Sequence, residues 1–519
     1  MTSGRPANTF ERIIRLGRIP RRGPKGISAA FAWRVTTDTN RTDRRVSAGR
    51  RHTVRVALGV CLGATGVAHA QGLSTCRVPD VDEAVQCATV DVPENRAAAN
   101  SRTIPLRVVI LPSHAPANAP RQALFYLVGG PGLPATPLAD LVAAAHATTR
   151  STHDIVLIDQ RGTGASNPLD CPLYGDSGDV AAYLGDQFPA SQVRECAQRL
   201  AQRADLSQYT TINAAEDLEA VRAHLGIDKI DLDASAYGTR VAMEYMRRHA
   251  DRVRSVVLQG VVPADVALPI TAARDAQRAL DRVFADCGAD PFCRTSFPGV
   301  ARELTTLLAR LDRGPVSVRV QRPRASDSIT VSLSRAVVAD RLRIMLYSTR
   351  LSRRIPLVIH RAYEGDWTPF VTIAYELSRV VFDQLNVGAH LSASCADDLR
   401  GDINARGSFL GDYRARMYRQ ACAAWPRPSL PSREGTGRPA AAPVLLITGA
   451  LDPVTPPAFA EAVARTLPNA TVLIVPGMAH AGTERCVEGV VGRFVGRGSM
   501  EGVDTSCVKG IAVGPFITR

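Results

Sequence analysis

The stretch Asp233-Ala234-Ser235-Ala236-Tyr237-Gly238-Thr239-Arg240 lies between an apolar run, Ile230-Asp231-Leu232, and a helical stretch from Arg240 to His249. Strand, abrupt turn and helix in that order make an elbow on which a serine nucleophile is exposed. The turn is so tight that the residues two before and two after its apex must be nearly free of side chain. An apex at 236 puts Ala234 and Gly238 at the crowded places, which fits; an apex at Ser235 puts Asp233 and Tyr237 there, which does not. Sterics therefore select position 236, and that position is an alanine. Its methyl group cannot attack a carbonyl, which leaves Ser235, one residue short, as a displaced candidate nucleophile. The chemistry further needs an imidazole to take the hydroxyl proton and a carboxylate to hold that imidazole in the right tautomer. It also needs backbone N–H groups to meet the developing oxyanion.

Elements able to position such groups are legible on both sides of the turn. Val85 to Val92 and Ile104 to Leu111 alternate as strands do around a polar turn from Asn95 to Arg102, which predicts a hairpin. Short apolar runs follow at Ala123 to Val128, Ile155 to Ile158, Ile230 to Leu232 and Ser255 to Leu258, with amphipathic helical stretches such as Ala214 to Leu225 between them. Strands alternating with helices predict an α/β fold with a doubly wound, mostly parallel sheet. After Pro263 the pattern changes to long helical segments, Ala272 to Cys287 and Ala301 to Leu311 among them. Strand runs resume at Val444 to Ile447 and Val472 to Val475, after a Pro/Arg/Gly-rich linker from Pro426 to Pro443. The core is thus expected in two parts, residues 71–262 and 441–519, with a largely helical insertion over residues 263–440.

The formal net charge of +14 would suggest an anionic partner, but residues 1–55 hold 14 Lys and Arg against 3 Asp and Glu, leaving +3 for all the others. The body is nearly neutral, and nucleic-acid binding is not expected. After Arg50-Arg51 and Arg55 comes an apolar run, Val56 to Val67, too short to cross a bilayer as a helix, and then Ala68-His69-Ala70, the small-x-small pattern of a signal-peptidase site. Residues 50–70 therefore read as an export signal, giving a periplasmic or extracellular protein with no membrane attachment after cleavage. Cys61 lacks the small preceding residue of a lipoprotein site. Residues 1–49 read as a disordered Arg-rich extension or a misassigned start.

Beyond the leader ten cysteines remain, an even number in an exported chain, and disulfides are the natural reading. Sequence alone does not fix connectivity. The cysteines fall in local couples, so neighbours are expected to pair: Cys76 with Cys87, Cys171 with Cys196, Cys287 with Cys293, Cys395 with Cys422, and Cys486 with Cys507. No Cys-x-x-Cys or His spacing suggests a metal, and no cofactor is expected.

The residues around the turn, Ser235-Ala236-Tyr237-Gly238-Thr239-Arg240-Val241-Ala242 and then Asp251-Arg252-Val253-Arg254-Ser255-Val256-Val257-Leu258, resemble the prolyl-iminopeptidase and tripeptidyl-aminopeptidase branch of the α/β-hydrolases. That branch reads Gly-x-Ser-Tyr-Gly-Thr at the elbow. Here the first glycine is Ala234 and the serine Ala236, with loop length unchanged. The resemblance implies an α/β-hydrolase fold whose insertion caps the active site, and a triad in the chain order nucleophile, acid, histidine. Asp452, in Gly449-Ala450-Leu451-Asp452-Pro453-Val454-Thr455-Pro456, matches the family's acid; His480, in Pro476-Gly477-Met478-Ala479-His480, matches its base. Gly129-Gly130-Pro131-Gly132 resembles the oxyanion loop, with Gly130 as one donor and the N–H of Tyr237 as the other. Asp159-Gln160-Arg161-Gly162-Thr163-Gly164 resembles a second signature, read as a shaped turn with Arg161 paired internally. Gln259 stands where many relatives have Asp.

By resemblance the substrate is a short peptide, attacked at its N-terminal end, or a small ester or amide. Its free amino group would be held by acidic residues of the cap, where Asp265, Asp286, Asp290, Glu364, Asp366, Glu376 and Asp383 are available. Three explanations of Ala236 stay open: a pseudo-hydrolase that binds peptides or small ligands, an enzyme using Ser235 through a distorted elbow, or a deliberate replacement of a serine. The last accounts for Ala236 but not for Ala234 or Gln259.

Overall fold

The structure, a computed structural model, describes residues 72–175, 179–321, 327–396, 399, 403, 405–428, 441–480 and 484–519. Residues 1–49 and 50–70, read from sequence as a basic extension and an export signal, and most of the stretch from Pro426 to Pro443 lie outside the described residues.

In chain order the strands are β1 (Ser74–Cys76), β2 (Val85–Pro93), β3 (Thr103–Leu111), β4 (Gln122–Leu127), β5 (His153–Ile158), β6 (Ile230–Ser235), β7 (Val253–Gln259), β8 (Val316–Gln321), β9 (Ser328–Leu333), β10 (Val444–Gly449) and β11 (Ala470–Val475). All but β8 and β9 form one sheet in the order β1-β2-β3-β5-β4-β6-β7-β10-β11. From β5 through β11 neighbouring strands are parallel, while β1, β2 and β3 join antiparallel. The sequence accounts for both halves. In β2 buried Val85, Cys87, Val90 and Val92 are separated by exposed Gln86, Thr89 and Asp91, the alternation of a strand with one wet face, whereas every residue of β10 is buried, as a strand covered on both faces requires. The expected hairpin forms with Cys87 opposite Val109 and Val92 opposite Ile104.

Helices Thr211–His224 and Gly238–Arg248 close one side of the sheet, and Ala139–Ala145 and Arg485–Arg497 the other. The insertion contains helices Leu268–Ala289, Val300–Asp312, Arg335–Met345, Thr368–Phe382, Val387–Ala396 and Tyr413–Ala423. One element departs from the helical expectation there: β8 and β9 pair antiparallel, Val318 opposite Val331, and pin themselves down through buried Val320, Val331 and Leu333. The alternation of Val316-Ser317-Val318-Arg319-Val320 carried that signal. All five neighbour disulfides form, with Cα separations of 5.1 to 6.0 Å. Among the described residues no helix is long and apolar enough to cross a membrane.

Candidate active site

Parallel strands bring their carboxyl ends to one rim, and the loops that leave that rim are where an open α/β sheet gathers its chemistry. Here β4 leads into Gly129 to Gly132, β6 into Ala236, β7 into Gly260, β10 into Asp452 and β11 into His480. Residues of all five loops line one cavity of about 370 Å³ under the insertion.

The elbow has its apex at Ala236. This residue takes φ +47°, in the left-handed region that a residue with a side chain enters only under constraint. The constraint is visible on each side: Ala236 donates its N–H to the carbonyl of Gln259 at 2.9 Å, and its own carbonyl accepts from the N–H and the hydroxyl of Thr239 at 3.0 and 2.5 Å. Gly238 must be glycine, because a Cβ there would stand 2.3 Å from the Leu127 carbonyl oxygen. Ala234 is fully buried between its β-sheet partners Leu127 and Leu258.

Ser235 is still part of β6, opposite Gln259, and interacts through its hydroxyl with Tyr126. Among the described residues no hydrogen bond joins it to His480. Strand alternation puts it on the same face as Asp233, which accepts from Gln259 Nε2 at 2.8 and 3.0 Å and lies 3.3 Å from His146 Nε2. Burial pushes the Asp233 carboxyl up to about 7, against the pull of Gln259, and burial alone pushes His146 down to about 4. The sequence reading found Gln259 but missed its partner; a charged residue in the middle of a buried strand was the available signal.

His480 and Asp452 meet as expected, with Nδ1 at 2.9 and 3.1 Å from the two carboxylate oxygens. Asp452 is 1% exposed, and burial opposes its charge. His480, together with hydrogen bonds from Thr455, overcomes that and holds the carboxyl below its ordinary value. The N–H groups of Val454 and Thr455 donate to Oδ1 at 2.7 and 2.8 Å, and the Thr455 hydroxyl to Oδ2 at 2.6 Å. A carboxylate so fixed orients the ring, leaving Nε2 as the nitrogen able to take a proton. Thr455 is a supporting residue that spacing alone did not single out.

Gly129 passes so close to the elbow that a Cβ on it would lie 2.9 Å from the Ala236 methyl. Gly130 follows at φ +118°, and its N–H takes no hydrogen bond among the described residues. The loop is held by Asp159, which accepts from the N–H groups of Ala135 and Thr136 at 2.9 and 2.8 Å and from Ala165 at 3.0 Å. Arg161 pairs internally, as read, with both oxygens of Asp217 at 2.6 and 2.7 Å.

The insertion closes the cavity from above. The Tyr347 ring meets the His480 ring edge-on at 5.2 Å, and the His390 Nδ1 lies 2.8 Å from the carbonyl of Pro131. The seven acidic residues proposed for an amino group do not line the cavity. Asp286 pairs with Arg282 and Arg353, Asp290 caps a short helix, Asp366 pairs with Arg361, Glu376 with Arg379, Glu364 lies near His360, Asp383 accepts from Tyr183, and Asp265 is exposed. Side chains in the insertion turn toward whatever charge is nearest, which sequence position does not reveal.

A family model described as alpha/beta hydrolase fold matches residues 127–483. The chain is similar to the serine protease Hip1 of Mycobacterium tuberculosis, 27% identical over 340 residues, which cover 58% of this chain and 64% of that protein, so it spans somewhat under two thirds of that relative's length. It is 31% identical over 192 residues to the tripeptidyl aminopeptidase of Streptomyces lividans, covering 34% of this chain and 35% of the relative. Carboxylesterase B of Mycobacterium tuberculosis is 26% identical over 485 residues, covering 86% and 91%. Among solved structures, proline iminopeptidase of Mycobacterium smegmatis aligns at 16% identity and a TM-score of 0.34, over 79% of this chain and 98% of that one.

Proposed function

The chain belongs to the α/β-hydrolase fold family, and from that membership we propose that its cavity takes a short peptide or a small ester or amide, with the acyl-serine step closed to it. One observation carries the reading: Ala236 holds the left-handed apex of an otherwise complete elbow, while His480 and Asp452 stay hydrogen-bonded at the same cavity. No oxygen stands at 236 to form an ester bond with the acyl group. General-base chemistry remains. Nε2 of His480 takes a proton from water, the water oxygen bonds to the acyl carbon, and the N–H groups of Gly130 and Tyr237 meet the oxyanion. The imidazolium then returns its proton to the leaving amine or alcohol as the C–N or C–O bond breaks. A site without its nucleophile keeps only about 10³- to 10⁴-fold acceleration over water, so turnover is slow. The disulfides support export to an oxidising compartment. The relatives named serine protease and tripeptidyl aminopeptidase support a peptide substrate.

A second reading, a pseudo-hydrolase that binds without turnover, is favoured by the engagement of Ser235 with Tyr126. A fluorophosphonate probe and a p-nitrophenyl ester separate the cases. The unaltered chain is expected to resist labelling, and Ala236→Ser with Ala234→Gly to accept it. Labelling of the unaltered chain that vanishes in Ser235→Ala would overturn the elbow assignment. Slow ester hydrolysis that is lost in His480→Ala supports the general-base route; a rate unchanged by that substitution leaves binding alone.

A further inference from the structure

The charge of the cavity wall is opposite to what an N-terminal ammonium needs. Asp340 is buried and accepts from three guanidinium groups: Arg341 Nη1 at 2.8 Å, Arg343 Nε at 3.0 Å and Arg414 Nη1 at 2.9 Å. One carboxylate against three cations leaves two positive charges in a nearly dry place. Burying unbalanced charge is costly unless something of opposite sign completes it. Arg341 is spent on the fold, since it also donates to the carbonyls of Tyr183 and Gly185 and lies over the Phe382 ring. Arg343 and Arg414 instead line the cavity. Arg343 gives Nη1 to the Tyr347 hydroxyl at 2.5 Å, and its Nη2 takes no hydrogen bond among the described residues. The same Tyr347 packs on His480, so a single ring separates this guanidinium from the base.

No nearby group among the described residues supplies the missing charge. The cavity-lining carboxylate is Asp452, already held by His480. Tyr418 accepts from Arg414 Nη2 at 3.3 Å and lies 2.8 Å from His390 Nε2, but both partners are neutral, since burial pushes the imidazole down to about 4. Asp186 is exposed and accepts from Tyr413. Asp397, Asp398 and Asp402 lie outside the described residues.

We propose that the cavity beside His480 takes an acyl compound carrying a free carboxylate, with Arg343 and Arg414 holding that carboxylate away from the scissile carbonyl. The proposal rests on the reading of this cavity as the acyl-ligand site and names the class of ligand. For a peptide the anchored end is then the C-terminal carboxylate, held in the same cavity as His480.

Calorimetry on the full chain with three probes of one shape tests it: 4-phenylbutyrate, 4-phenylbutyramide and 4-phenylbutylamine. Charge-assisted hydrogen bonds to guanidinium should make the acid bind about tenfold or more tighter than the amide, with the amine weakest. Arg343→Gln should erase most of the acid's advantage and leave the amide's affinity unchanged. Equal affinity for acid and amide, or preference for the amine, overturns the carboxylate subsite while the cavity reading survives. If none of the three binds, the cavity reading falls and takes the subsite with it. Should Arg343→Gln fail to fold, the acid-to-amide ratio of the unaltered chain decides by itself.

Discussion

A methyl group at 236 and a hydroxyl at 235 differ in position by one residue and in consequence by a reaction class, because successive strand side chains point to opposite faces. Ser235 falls on the face of Tyr126 and Asp233, and the apex falls to Ala236. Restoring the oxygen by Ala236→Ser, together with Ala234→Gly, is expected to raise ester turnover by roughly 10²-fold or more, measured as initial rates with a p-nitrophenyl ester; an unchanged rate refutes the assigned apex. Asp233 makes a separate prediction. Its carboxyl rises from an ordinary 3.8 to about 7 on folding, so between those values the folded chain binds more protons than the unfolded one and loses stability as pH rises. His146, lowered from 6.5 to about 4, acts oppositely over about pH 4 to 6.5 and masks part of the effect. Asp233→Asn should therefore gain stability relative to the parent as pH climbs from about 4 to 7, by roughly 2–4 kcal/mol in urea melts. A difference that stays flat across that range means the carboxyl is not the titrating group. At this scale the apex at 236 was legible from the sterics of the turn, while Asp452 and His480 were singled out only by the resemblance of their motifs to the family's. The Asp233, His146 and Gln259 contacts were not legible, since 113 residues separate Gln259 from His146.

Between elements, close approach does the positioning. A Cβ on Gly449, at the end of β10, would stand 2.3 Å from the Met478 carbonyl oxygen and 2.5 Å from that of Ala479. Backbone cannot yield as a side chain does, so Gly449→Ala should push the His480 loop away from Asp452. The expected cost is about 1–3 kcal/mol of stability, with a larger loss of rate in the Ala236→Ser background, read as a fall in kcat at nearly constant KM. Helix Val387–Ala396 is stitched to the loop from Gly129 to Gly132 in the same way: the N–H of Asn386 donates to the Gly132 carbonyl at 2.9 Å, and a Cβ on Gly132 would lie 2.9 Å from the His390 backbone nitrogen. The sequence offered Gly132 within a glycine-rich loop and Gly449 within the motif that resembles the family's acid loop. Which helix they touch depended on how the insertion folds back.

Over the whole molecule, the disulfides clamp local segments and not the two halves of the core. Cys395–Cys422 closes a separation of 27 residues within the insertion, and removing both thiols by Cys395→Ser with Cys422→Ser should cost about 3 kcal/mol, seen as a Tm below the parent's without reductant and a gap that closes once reductant opens the same bond in the parent. A residual drop with reductant would come from the other four. The apolar strand runs and the elbow sterics determined the α/β plan and the absence of a nucleophile at the apex, because each rests on contacts between residues near in sequence or on a fixed backbone period; the ten cysteines implied disulfides, and the structure decided that neighbours pair. The insertion's hairpin and the facing of its charges rested on contacts between distant segments. Carboxylates expected to meet an amino group paired instead with nearby arginines, and three arginines converged on Asp340. Only tertiary structure could decide that, since an ion pair goes to the partner that folding brings within reach, and composition fixes how many charges there are without fixing which of them face the cavity.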